Sequence, residues 1–257
     1  EKGSPAILQH ADVLTTGFNN ADHANWIWGQ DVTVETTTSL ASFFGQVDIY
    51  SYSYASAGDI KAIDKNLYNS IPEWDIRKFW WNNYAQSGKK GASTFAYAPD
   101  GKFYSAKSST LQGDRDWLSD NVYMRWELAY LIAAEAAART HDVSTAQNYL
   151  FAITDQRVNV DSETAYNDWK SSLTSEAALL SAIKQNWRVE LWGEGYGLQT
   201  FRRYAEKVTI GENHLRQEKD LSPTTPRRFT FEIPTSETYY NPFLRPTQET
   251  TQLHQKK

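Results

Sequence analysis

The chain has 257 residues, a net charge of -5 and a pI of about 5.6. That length suits one large domain or two small ones with a sizeable core, and the acidic balance with scattered Lys and Arg gives no general attraction to nucleic acid or anionic lipid. Cysteine is absent, which removes disulfides, thiolate metal sites, cysteine nucleophiles and, within this sequence, a lipid-anchored cysteine. The histidines at 10, 23, 141, 214 and 254 form no HxxxH-like pair, so no metal site and no cofactor are expected. No apolar run is long enough to cross a bilayer, and the opening "EKGSPAILQHADVL" has no basic segment followed by an apolar one. Ten Trp, fifteen Tyr and eleven Phe sit in a chain of mean hydropathy -0.63. Such rings serve either as anchors in helix packing or as platforms for a flat apolar ligand face, such as that of a sugar.

Taken in chain order, "ILQHADVL" (7–14) reads as a helix end and "NWIWGQDVTVETT" (25–37) as a strand, from its alternation and β-branched residues. Period two would put Trp26 and Trp28 on one face. "FFGQVDIYSYSYASAGD" (43–59) reads as loop and short extended pieces, and "IDKNLYNSIPEWDIRKFWW" (63–81) as a short helix broken at Pro72 before an aromatic turn. Residues 82–120 are rich in Gly, Ser, Asn, Lys and Asp and read as a long loop, with Asp100-Gly101 a hairpin candidate. Helices are expected at 121–140, with Trp126, Tyr130, Ala133 and Ala137 on one face; at 143–158, with Ala146, Leu150, Ile153 and Arg157; and from the N-cap Ser175 to about Gly193. The first two, joined by a tight turn, have the form of a tetratricopeptide-like unit. Residues 221–248 hold five of the eight prolines and read as an extended wrap. The fold class expected is therefore mainly α: a tetratricopeptide-like helical bundle with long loop-rich excursions and a few short strands. Residues 1–120 form the mixed part, and 121–257 the helical part with its Pro-rich tail.

Four stretches in fixed order carry a resemblance: "LYNSIPEWDIRK" (67–78), "YMRWELAYLIAAEAAAR" (123–139), "RVELWGEGYGLQTFRRY" (188–204) and "FEIPTSETYYNPFL" (231–244). Together they resemble the C-terminal half of the SusD/RagB family of outer-membrane nutrient-binding lipoproteins. The resemblance implies a C-terminal region of a protein about twice as long, anchored to the outer membrane at the cell surface by a lipid on a cysteine outside this sequence. It also implies a non-catalytic protein that binds an oligosaccharide or polysaccharide and works with a SusC-like TonB-dependent transporter, with no nucleic-acid partner. The chain departs from the family pattern at Asn186, where Glu is usual, and at Gly197 and Thr200, where Arg and Asp are usual. Both members of that later pair are missing together, so no charge is stranded.

The ligand-binding candidates are Trp74, Trp80, Trp81 and Tyr84, clustered around the Pro72 turn, with Tyr52 and Tyr54 of "YSYSY", where Tyr50 shares the alternation. Asp59, Asp75, Asn82 and Asn83 could hydrogen-bond hydroxyls. Arg188, Glu190, Glu194, Arg125 and Glu127 are expected to be structural, as acid–base partners inside a helical bundle. Trp126, Trp187 and Trp192 are expected in the core. Two other functions compete: a helical-repeat adaptor that binds only protein, and a glycoside hydrolase, which would need two carboxylates across the scissile bond.

Overall fold

The computed structural model describes residues 4–15, 17–38, 41–49, 53–81, 96–99, 101–103, 118–205, 208–214, 220–221, 233–241 and 243. Most of the 82–120 and 221–248 segments lies outside that set, as do Tyr50, Tyr52, Asn82, Asn83, Tyr84 and Asp100. The described chain is mainly helical, in the class the sequence indicates.

Residues 7–14 do not end a helix. They hold a single 3-10 turn, His10–Asp12, between the fully buried Leu8 and Val13. Strand β1 (Trp26–Gln30) follows and pairs antiparallel with β2 (Asn121–Arg125). The pairing steps from Trp26↔Arg125 to Trp28↔Met124 to Gly29↔Val122, so the register shifts on both sides of Trp28. A bulge of this kind breaks the two-residue alternation. Trp26 and Trp28 therefore do not share a face: Trp26 is fully buried, its Nε1 donating to the Gly17 carbonyl at 2.7 Å, while Trp28 is 60% exposed.

Helix α1 (Phe43–Val47) replaces the expected loop, capped by the Ser42 hydroxyl accepting from the Gly45 amide. Helix α2 (Lys65–Ser70) is capped by Asp64, which accepts from the amides of Asn66 and Leu67, and it stops before Pro72. A 3-10 helix, Ile76–Trp80, comes after it, capped by Asp75. Helix α3 (Trp126–Arg139) begins five residues later than the sequence reading, because 121–125 are held as strand β2. Its buried face is Glu127, Leu128, Leu131, Ala134, Glu135 and Ala138; Trp126, Tyr130, Ala133 and Ala137 flank it and are half-buried. Helix α4 (Val143–Thr154), capped by Asp142, buries Ala146, Leu150 and Ile153, and Arg157 is buried in the 3-10 turn after it. Helix α5 (Glu163–Ser172) has no counterpart in the sequence reading: its residues are mostly polar and Tyr166 is the one it buries. Helix α6 (Glu176–Glu190) starts at the N-cap Ser175, whose hydroxyl accepts from the Ala178 amide at 3.2 Å. Helix α7 (Gly197–Tyr204), a short β3–β4 pair (Val208–Thr209 with Asp220–Leu221) and α8 (Thr235–Tyr240) complete the order.

Helix α3 packs against both α4 and α6, and their apolar faces, with Leu131, Leu150, Ile153, Ile183 and Trp187, make one core. A second core gathers the N-terminal segment, α2 and the 3-10 helix around Leu8, Phe18, Ile63, Leu67, Trp80 and Trp81. Trp74 is not a surface ring. It is 5% exposed because α5 lies over it, with Tyr166 and Trp169 ring centroids 4.8 and 5.0 Å away.

Charged side chains join the two cores. Glu190, fully buried at the end of α6, accepts from Arg77 at 2.9 Å, Arg125 at 2.7 Å and Arg157 at 3.0 and 3.1 Å. Arg77 also pairs with Asp75, Arg125 with Glu127 at 3.0 Å and with Glu194 at 2.8 Å, and Arg157 with Glu127 at 3.4 Å. Lys102 is buried too. Its ammonium donates to the carbonyls of Glu190 and Trp192 and to Glu194, at 2.8 to 2.9 Å. Four cations (Arg77, Lys102, Arg125, Arg157) thus meet four carboxylates (Asp75, Glu127, Glu190, Glu194), and the cluster is neutral. Burial alone would raise the Glu190 pKa, but the charges of Arg157, Arg125 and Arg77 override it and hold the carboxyl well below its ordinary 4.5. Burial pushes Lys102 down to about 8, against the pull of Glu194.

Two predictions follow from this packing. Glu190→Gln leaves three buried guanidiniums short of a counter-charge and should destabilise the fold by about 3–5 kcal/mol in denaturant unfolding at neutral pH. Folding lowers the Glu190 pKa, so its stabilisation is present above pH 4.5 and is lost as pH falls through the folded value. The gap between wild type and variant should therefore close on acidification, and a variant that unfolds with wild type at pH 7 contradicts this account. Trp74→Ala empties a site sealed by α5 and should cost about 3–5 kcal/mol. An unchanged unfolding midpoint would mean that the ring is not part of the core.

Candidate functional site

The three tryptophans of the 72–81 turn face inward, while Phe79 is 48% exposed. Trp80 is fully buried: its Nε1 donates to the Val13 carbonyl at 2.6 Å, and its ring lies 4.8 Å from the Lys102 ammonium. Phe18 and Phe103, at 5.0 and 4.9 Å, complete an aromatic seat for that cation. Trp81 is 2% exposed, edge-on to Trp192 at 5.8 Å. Stacking on a ligand needs an open ring face, and Trp74, Trp80 and Trp81 have none. The reading of these three as ligand-facing is corrected accordingly. Tyr54 keeps 45% of its surface exposed, but it lies outside the cavity described below. Asp75 serves Arg77 within the buried cluster, and Asp59 forms a surface pair with Lys61 at 2.6 Å.

Arg188 does not join Glu190. Residues two apart on a helix point about 200° from each other, and Arg188 lies on the other side of α6, over the Phe201 ring at 5.1 Å. There it helps line a small cavity of about 180 Å³ with Lys184 and Tyr204. Asn186, in place of the usual Glu, is buried and turns its Nδ2 back to the Ala182 carbonyl at 2.9 Å, while Thr200 bonds the Tyr196 carbonyl at 2.8 Å. Thr200 is satisfied within its own helical turn; Asn186 bonds there through Nδ2, while its buried Oδ1 has no hydrogen-bond partner among the described residues.

The larger cavity, of about 380 Å³, opens where β2 meets the loop after α6. Phe18, Phe43, Phe103 and Val122 give it apolar walls, and Asp120, Asn121, Tyr123 and Glu194 supply polar groups. Its shape depends on backbone that few side chains tolerate. Gly193 and Gly195 have φ of +77° and +90°, and a Cβ on Gly193 would meet the Phe103 ring at 2.8 Å. Phe103 itself has φ of +72°, a conformation that is costly for an aromatic residue and that the surrounding packing must hold. Glu194, between the two glycines, is fixed from behind: Oε1 accepts from Lys102 and Arg125 and Oε2 from Arg125. Asp120 is fixed by backbone amides, Ala21 at 2.7 Å and Val32 at 2.8 Å.

Tyr123 links this cavity to the open surface. It is 42% exposed and packs edge-to-face on Trp28, with centroids 5.0 Å apart. Its hydroxyl and the Asn121 amide both donate to Gln30 Oε1 at 3.0 Å, and the Tyr196 hydroxyl donates to its carbonyl at 2.6 Å. The bulge in β1 is what turns Trp28 outward onto this tyrosine. The sequence reading named Trp28 but left its direction open, and it missed Phe18, Phe43, Phe103, Asp120 and Tyr123, which come together only through tertiary contacts. One local signal was present: a glycine within a strand marks a bulge or a close approach. Gly29 is such a residue, since a Cβ there would meet the Trp26 ring at 2.4 Å.

Among the described residues, no group of His, Asp and Glu side chains could hold a metal ion, and no helix is long and apolar enough to cross a membrane. No curated protein matches the chain. Solved structures share its fold. A SusD-like carbohydrate binding protein from Bacteroides vulgatus aligns over 91% of the chain at 21% identity with a TM-score of 0.62. A SusD superfamily protein from Bacteroides thetaiotaomicron aligns over 94% at 19% identity and 0.70, and another from Bacteroides vulgatus over 94% at 17% and 0.65. The chain spans about half the length of each: 51%, 52% and 50%. The SusD family profile matches residues 44–252, and on that match the chain belongs to the SusD family.

Proposed function

We propose that this chain contributes to non-catalytic glycan binding at the cell surface, through the Trp28–Tyr123 pair and the cavity beside it. The observation that carries this reading is an exposed tryptophan and tyrosine, in mutual contact, at the mouth of a cavity with apolar walls and fixed oxygen acceptors. A sugar ring has an apolar C–H face for the rings and hydroxyls for the acceptors. Membership of the SusD family supports the reading, as does the fold shared with a protein described as carbohydrate binding. It extends to an outer-membrane lipoprotein that passes its glycan to a SusC-like TonB-dependent transporter. A hydrolase fits less well, because Asp120 and Glu194 both already accept N–H hydrogen bonds, an arrangement suited to fixing hydroxyls.

Stacking an exposed indole on a sugar ring buries apolar area worth about 1–2 kcal/mol at about 25 cal/mol per Å². Trp28→Ala and Tyr123→Ala should each weaken glycan binding by roughly tenfold. Trp28→Ala, at an exposed position, should shift stability by no more than about 0.5 kcal/mol. Affinity electrophoresis in gels cast with different polysaccharides, with thermal melts alongside, measures both. If a polysaccharide retards the wild type and both variants equally, the binding surface lies elsewhere; retardation by none of them removes the glycan reading.

A further inference from the structure

Resting on the glycan reading, we infer that this cavity selects uncharged sugars and discriminates against sugars bearing carboxylate or sulfate groups. Among the described residues, the charged side chains that line it are Asp120 and Glu194, with no lysine or arginine between them and the ligand space.

The two carboxylates do not contribute equally. Lys102 and Arg125 stand directly behind Glu194, at 2.8 Å, and offset most of its charge. Asp120 forms no ion pair among the described residues. Its partners are neutral backbone amides, one on each oxygen, so its negative charge is the one the cavity feels. Phe18, Phe43, Phe103 and Val122 keep the local dielectric low, which strengthens repulsion of a second anion. The same oxygens attract hydroxyl donors. Each Asp120 oxygen keeps a second lone pair, as does Oε2 of Glu194, and a carboxylate accepts without donating. A sugar hydroxyl supplies the missing hydrogen, whereas a carboxylate or sulfate group in its place brings only further acceptors.

The test titrates the chain with matched oligosaccharides that differ only at C6. Maltohexaose and cellohexaose are each compared with their C6-oxidised counterparts, in which every primary alcohol is a carboxylate. The neutral member should bind at least tenfold more tightly, and the ratio should shrink in molar salt. Asn121→Lys places a cation at the half-buried wall and should reduce the ratio at least threefold. Three results overturn the inference: equal or tighter binding of the oxidised series, a ratio indifferent to both salt and Asn121→Lys, or binding confined to acidic glycans on an array. If no glycan of either kind binds, it is the glycan reading itself that fails, and the inference falls with it.

Discussion

The Glu190 carboxylate receives four hydrogen bonds from three arginines and has no exposed surface, and its partners come from segments far apart in sequence. Arg77 belongs to the 3-10 helix, Arg125 to the junction of β2 and α3, and Arg157 to the turn after α4. Removing ions from water costs several kcal/mol each, so such a cluster persists only when every charge is met. The equal number of cations and carboxylates meets that condition. The cavity depends on it directly. Arg125 fixes the end of β2, and with Lys102 it fixes Glu194, so the wall and its acceptors hold their places through contacts on their hidden side.

The aromatic richness divides between two tasks. Trp80, Phe18 and Phe103 surround the Lys102 ammonium within the protein, and Trp74 is packed under Tyr166 and Trp169. Composition alone cannot separate a ring that seats an internal cation from one that seats a sugar, because both uses need the same flat electron-rich face. What separates them is whether the other side of the ring is covered. At the Pro72 turn it is covered by helix α5 and the buried cluster; at Trp28 it is open.

Where the sequence was legible, the signal was local. Helix α6 was marked by its cap, Ser175, α4 by Ala146, Leu150 and Ile153 at helical spacing, and the end of α2 by Pro72. Four motifs in fixed order pointed to the family. Helix α5 was not legible because its residues are mostly polar and Tyr166 is the one it buries, so no run of apolar residues marks it in the sequence. That omission produced the error at Trp74, since α5 is what hides the ring. The cavity was illegible for another reason. Its residues come from positions 18, 43, 103, 120–123 and 193–195, and no spacing rule joins them. The orientation of Trp28 turned on a register shift, which strand alternation does not reveal.

The neutral cluster also bears on how the molecule comes apart. A structure that has lost the 3-10 helix, the start of α3 or the turn after α4 would leave the buried Glu190 carboxylate short of one of its arginines, and one that has lost the end of α6 would leave the arginines without Glu190. Such a state is worse than either the complete fold or the open chain. Half-formed intermediates are therefore penalised, and the segments around Glu190 are bound into a single cooperative unit even though they lie in different secondary-structure elements and in two hydrophobic cores. Hydrogen exchange would see this as matching protection at the end of α6, the start of α3 and the 3-10 helix before Trp81. These sites are joined by their shared bonds to Glu190 rather than by adjacency along the chain.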